Sequence, residues 1–117
     1  MLTENLSNIC NHSLCESKAE DIILLDVKTI SSFADEIIIA TANSNRHAIA
    51  VSDKLVEALK ENKVNIIGVE GKPDSGWILV DCGDVVINIM RREQRDFYDL
   101  ESLWGEMIPN KNLSNDY

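Results

Sequence analysis

The stretch GWILVDCGDVVINIM, residues 76–90, holds two apolar runs separated only by Asp-Cys-Gly-Asp, and it limits the possible architectures more than any other segment. Aspartate stabilises chain reversals by bonding nearby backbone, and glycine accepts positive φ, so these residues predict a hairpin of two buried strands. DIILLDV (21–27) and DEIIIATA (35–42) are also short and almost unbroken, the pattern of strands covered on both faces. The intervening KTISSFA is too short for a crossover helix, which makes these two strands antiparallel neighbours. VNIIGVEG (64–71) reads as one more strand, closed by the loop residues KPDSG.

Helical periodicity appears in three places. Over residues 44–62, Ala48, Ile49, Val51, Leu55, Val56, Ala58 and Leu59 fall within half of the helical wheel, with Ser44 as N-cap. Leu2, Leu6, Ile9 and Cys10 share one side of a helix predicted over residues 3–18. In REQRDFYDLESLWGEMIP, Phe97, Leu100, Leu103, Trp104 and Met107 form one apolar stripe that Pro109 ends. A helix between strands two and three requires a crossover, whereas the other connections are short. The expected fold is therefore a single-domain α/β sandwich with a five-stranded mixed sheet and flanking helices.

A chain of 117 residues with 44% apolar content fits one such core, assigned here to residues 1–108, with a polar, disordered tail over 109–117. The net charge of -9 disfavours direct binding to nucleic acid or an anionic membrane and favours a basic protein partner. No run approaches the roughly 20 apolar residues that span a bilayer, and the first residues carry no basic or continuous apolar leader, so a cytoplasmic location is expected. Cys10, Cys15 and Cys82 are odd in number and irregularly spaced, which suits reduced thiols.

Several residues invite chemistry. Asp81 and Asp84 could hold a divalent metal or divide acid and base roles, although turn chemistry accounts for every residue type there. No GxxxxGK[ST] or GxGxxG loop occurs, a nucleophile with its base is equally hard to assemble, and neither His12 nor His47 has an evident partner. Cys10, His12 and Cys15 are close in sequence, but on a helix the two cysteines point about 140° apart and cannot chelate together. Neither metal nor cofactor is expected. Trp77 opens a strand after a flexible loop, where its ring serves equally to cap the core or to meet a partner. Trp77, Leu79 and Asp81 share one strand face, an apolar patch with an acidic end if that face is open.

Taken in order, KAEDIILLDVKTISSFAD (18–35), SNRHAIAVSD (44–53), VEGKPDSGWILVDCGDVVINIM (69–90) and EQRDFYDLESLW (93–104) resemble the ribosomal silencing factor, or Iojap, family. The resemblance implies a domain shaped like a nucleotidyltransferase but without that activity. It also implies binding to the basic large-subunit ribosomal protein number fourteen, where a family member blocks small-subunit joining and lowers translation under nutrient limitation. A homodimer is implied as well, with no membrane and no sequence-specific nucleic acid as partner. By the same resemblance Glu70, Trp77, Leu79 and Asp81 fall where the family meets its ribosomal partner, and Tyr98, Glu101 and Trp104 match its last helix. This sequence departs from the family in Asn88, where histidine is usual, and in Glu36 and Ile37, where aromatic residues are usual. The competing expectation is a metal-dependent enzyme acting on a nucleotide or phosphate ester through Asp81 and Asp84.

Overall fold

The computed structural model describes residues 3–72 and 74–107, and the side chains of residues 5–72 and 74–103. The elements run α1 (Thr3–Glu16), β1 (Glu20–Asp26), β2 (Glu36–Ala42), α2 (Asn45–Glu61), β3 (Gly68–Glu70), β4 (Trp77–Asp81), β5 (Val85–Arg91), α3 (Arg92–Tyr98) and α4 (Leu100–Met107). The five strands form one mixed sheet in the order β1-β2-β5-β4-β3, with β2 and β5 parallel and every other pair antiparallel. The expected α/β architecture is present. The expected tail, residues 109–117, lies outside the described residues, and among the described residues no helix is long and apolar enough to cross a membrane.

The two central strands explain their own composition. All seven residues of β2 and six of the seven in β5 are buried, so each needs an apolar or satisfied side chain on both faces. One face packs Ile38, Ala40, Val85, Ile87 and Ile89 against Leu6, Cys10 and Leu14 of α1 and Ala48, Val51, Leu55 and Leu59 of α2. Burying each Leu or Ile there contributes about 1.5–3 kcal/mol. The opposite face carries a smaller cluster of Val27, Ile37, Ile39 and Met90, joined by Leu25, Ile30, Trp77 and Leu100.

Four expectations are corrected. DIILLDV looks like a doubly covered strand, yet β1 is a sheet edge and Leu24 is 45% exposed. Its apolar run is used differently, with Ile22 against the main core and Leu25 against the smaller cluster. The third strand is only Gly68–Glu70; Val64 and Ile66 pack on the core from irregular chain, a role that requires apolar side chains without ladder bonds. His47 is not partnerless: Nδ1 accepts from the Asn43 N–H at 3.0 Å and Nε2 lies 2.8 Å from the Ser17 carbonyl, tying the start of α2 to the end of α1. Ser44 caps α2 as expected, its Oγ accepting from the His47 N–H at 3.0 Å.

The fourth correction concerns the last helix. Asp99 adopts the left-handed conformation (φ 49°) and divides it into α3 and α4, so the single apolar stripe does not exist. Phe97 is 80% and Leu103 55% exposed, while Leu100 alone of the described stripe residues joins a core cluster. The side chains of Trp104 and Met107 lie outside the described residues. Arg95 spans the break. Its guanidinium, 2% exposed, donates to the Asp21 carbonyl (2.6 Å), Thr41 Oγ1 (2.7 Å) and Glu101 Oε2 (3.0 Å), pinning α3 to the sheet and drawing α4 back towards it. Arg92 adds a surface ion pair with Asp21, whose carboxyl it holds below the usual carboxylate range mainly through that hydrogen bond.

The cysteines are free thiols in unlike surroundings. Burial, then the neighbouring Cys82 and Glu36, pushes the Cys10 thiol up to about 12; burial, then Asp81, pushes Cys82 up to about 11. Cys15 is exposed. Because the thiolate is the reactive form, a disulfide reagent at pH 8 is expected to modify Cys15 first and the other two at least about tenfold more slowly. Three equivalents should react rapidly in denaturant; three fast equivalents in the native protein would contradict this packing.

Candidate docking surface

The site is built on the sheet face that α1 and α2 leave free. β4 alternates, with Ile78 and Val80 buried under the helices and Trp77, Leu79 and Asp81 half-buried on the other side, as period-two geometry requires. The hairpin expectation of two buried strands thus holds for β5 and for only one face of β4. In register, Glu70, Leu79, Asn88 and Ile39 form one row across this face, and Trp77, Met90 and Thr41 form the next. Arg95 covers the Thr41 end of the second row, which places α3 beside Trp77.

Between α3 and the outer strands lies an open groove of about 620 Å³ lined by Glu70, Gly71, Ser75, Trp77, Leu79, Glu93, Gln94, Phe97 and Tyr98. The Trp77 and Tyr98 rings are 4.9 Å apart, tilted by 50°, and Phe97 meets Tyr98 edge-on at 4.9 Å. These spacings lie in the range where aromatic pairs attract. Indole Nε1–H of Trp77 donates to Asn88 Oδ1 at 2.9 Å. Glu70 and Glu93 add carboxylates beside the three rings.

The loop between β3 and β4 shapes one wall of the groove. Gly71 has φ 120°, and a Cβ there would lie 2.3 Å from the Trp77 carbonyl oxygen, so only glycine lets the two backbones approach. Ser75 Oγ donates to the Lys72 carbonyl at 2.8 Å and accepts from the Trp77 N–H at 3.2 Å, fixing the point where Trp77 enters β4.

Of the four residues expected to meet a partner, Glu70, Trp77 and Leu79 are brought together in the groove. Asp81 lies at the far end of the face, and its Oδ1 accepts from the Gly83 N–H at 2.8 Å. That bond closes the hairpin turn, where Gly83 has φ 84° and the Cys82 N–H donates to the Val85 carbonyl at 3.0 Å. The Asp84 carbonyl accepts from the Asp35 and Glu36 N–H groups, so this aspartate's backbone joins the turn to β2. Among the described residues no group of three or more His, Cys, Asp or Glu is placed to hold a metal ion. The groove residues that sequence reasoning did not place there are Gly71 and Ser75 of the loop and Glu93, Gln94, Phe97 and Tyr98 of α3. The signal for the α3 residues was the adjacent Phe97-Tyr98 pair, which a helix points about 100° apart and so cannot bury on one narrow stripe.

These features define a single α/β domain with an open groove, lined in part by three aromatic rings, on one face of its sheet. The chain belongs to the ribosomal silencing factor family: residues 2–116 match the family model described as "Ribosomal silencing factor during starvation". It is 39% identical over 110 residues to the ribosomal silencing factor of Chromobacterium violaceum, covering 94% of this chain and 90% of that protein. A crystal structure of a protein from the same organism superimposes with a TM-score of 0.87 at 40% identity, covering 90% of this chain and 88% of the other. A mouse protein named "Mitochondrial assembly of ribosomal large subunit protein 1" is 34% identical over 94 residues, 78% of this chain and 41% of its own length.

Proposed function

We propose that this protein is a ribosomal silencing factor that binds the large ribosomal subunit through its basic protein number fourteen and sterically prevents the small subunit from joining. The observation that carries the reading is the groove of Trp77, Phe97 and Tyr98 flanked by Glu70 and Glu93 on the open sheet face. Large amphipathic rings supply binding energy, and the carboxylates together with a net charge of -9 favour a basic surface. Family membership supports a ribosome-associated silencing role, and the name of the mouse relative links one family member to the large subunit.

The mechanism follows from size alone. A domain with extents of 36 × 33 × 23 Å, seated on a surface that must lie flush with another particle, holds the two apart without any bond being made or broken. The protein acts as a regulator of translation under nutrient limitation, in the cytoplasm, and not as an enzyme. In a sucrose gradient of a cell lysate it is expected to sediment with free large subunits and to be missing from joined ribosomes. Recovery only at the top of the gradient, or equally in joined ribosomes, would refute the proposal.

A further inference from the structure

Among the described residues of β5, Asn88 is the one polar side chain that is fully enclosed, at 3% exposure between apolar neighbours. A buried amide is costly unless it is bonded, and the bond here goes to Trp77. Asn88 faces Leu79 in register and Trp77 faces Met90, so the bond crosses diagonally between two strands on the docking face. The indole has a single donor and two side-chain torsions. Fixing that donor on Oδ1 while Tyr98 leans on the ring leaves the side chain one orientation.

We propose that Asn88 is a positioning residue of the docking surface, holding the Trp77 indole in its partner-ready orientation before any partner arrives. The inference rests on the docking role given to Trp77 above and adds how the anchor is presented. A side chain already held loses little freedom on association, whereas a free one must be ordered at that moment. This difference is worth about fivefold in affinity for one such side chain. The gain falls mainly on the dissociation rate, because related complexes differ chiefly there.

The test uses the full chain labelled with nitrogen-15, with the Trp77 indole resonance assigned by comparison with a W104F variant. In the wild type the Trp77 Nε1–H should be rigid by relaxation and slow to exchange with water. Asn88→Leu, similar in volume but without an acceptor, should leave the melting temperature close to wild type, make the indole mobile and weaken binding to purified large subunits about fivefold. Asn88→His, which keeps a neutral ring nitrogen as acceptor, should restore a rigid indole and most of the affinity. If Asn88→Leu does not fold, Asn88→Ala removes the acceptor without adding bulk and should give the same mobile indole and a similar loss of affinity. A rigid indole in Asn88→Leu, or a mobile one with unchanged affinity while Trp77→Ala binds weakly, would overturn the proposal. Unchanged binding by Trp77→Ala would instead remove the docking role, and the relaxation data would still decide whether Asn88 holds the ring.

Discussion

Trp77→Ala is expected to weaken binding to large ribosomal subunits by about 2 kcal/mol or more, roughly 30-fold in dissociation constant. Three features place the effect at the upper end for an interface residue. The ring lines the groove, it packs at a tilt against Tyr98, and its one polar atom is already satisfied by Asn88, so the partner need not supply it with an acceptor. The fold should survive, because Trp77 only flanks the smaller cluster and the main core does not include it. Quantitative co-sedimentation with purified subunits, alongside thermal melting, reads both quantities. Normal binding by a folded variant would show that the aromatic groove is not the docking surface.

Arg95→Ala should act in the opposite way, on the fold first. The guanidinium is almost fully enclosed and serves three acceptors, two of them on the sheet and one on α4. Truncation leaves the Thr41 hydroxyl, the Asp21 carbonyl and the Glu101 carboxylate short of a partner. Breaking a buried ion pair in this manner costs about 3 kcal/mol, and the partial exposure of Glu101 keeps the figure at the low end. For a domain of this size that corresponds to a fall in melting temperature of roughly 12 °C or more, measurable by calorimetry. A fall of only one or two degrees would mean that α3 is held by its apolar contacts alone. The variant should also bind subunits poorly, because Phe97 and Tyr98 ride on the helix that Arg95 fixes.

What could be read from the chain and what could not follows from the range of the interactions. The strands, α2 and the hairpin at Asp81 to Asp84 are legible because their signals are local: unbroken apolar runs, a half-wheel of apolar residues, and aspartate and glycine at a reversal. The edge position of β1 is not legible, since seven mostly apolar residues look the same whether a sheet continues beyond them or stops. The break at Asp99 is spanned by Arg95, which also reaches Asp21 and Thr41, residues far away in sequence, and an arginine inside an amphipathic helix looks solvent-facing from periodicity alone. The same gap explains the candidate site. Trp77, Leu79 and Glu70 share a face by strand alternation and register, whereas Phe97 and Glu93 enter the groove because α3, which follows β5 directly, is pinned against the sheet by Arg95. Asp81 was placed with them by alternation, and its carboxylate is committed to its own turn.

The parallel pairing of β2 with β5 has a consequence for how the protein comes into being. Glu36 lies against Val85 and Ala42 against Arg91, so the middle of the sheet joins segments from opposite halves of the chain. Until β5 has left the ribosomal tunnel, β2 has only the edge strand β1 as a neighbour, and the loop-closure entropy of the whole intervening segment remains to be overcome. The groove is delayed further, because its last wall is α3. A nascent chain therefore cannot form the proposed docking groove until α3 has emerged and the sheet has closed behind it.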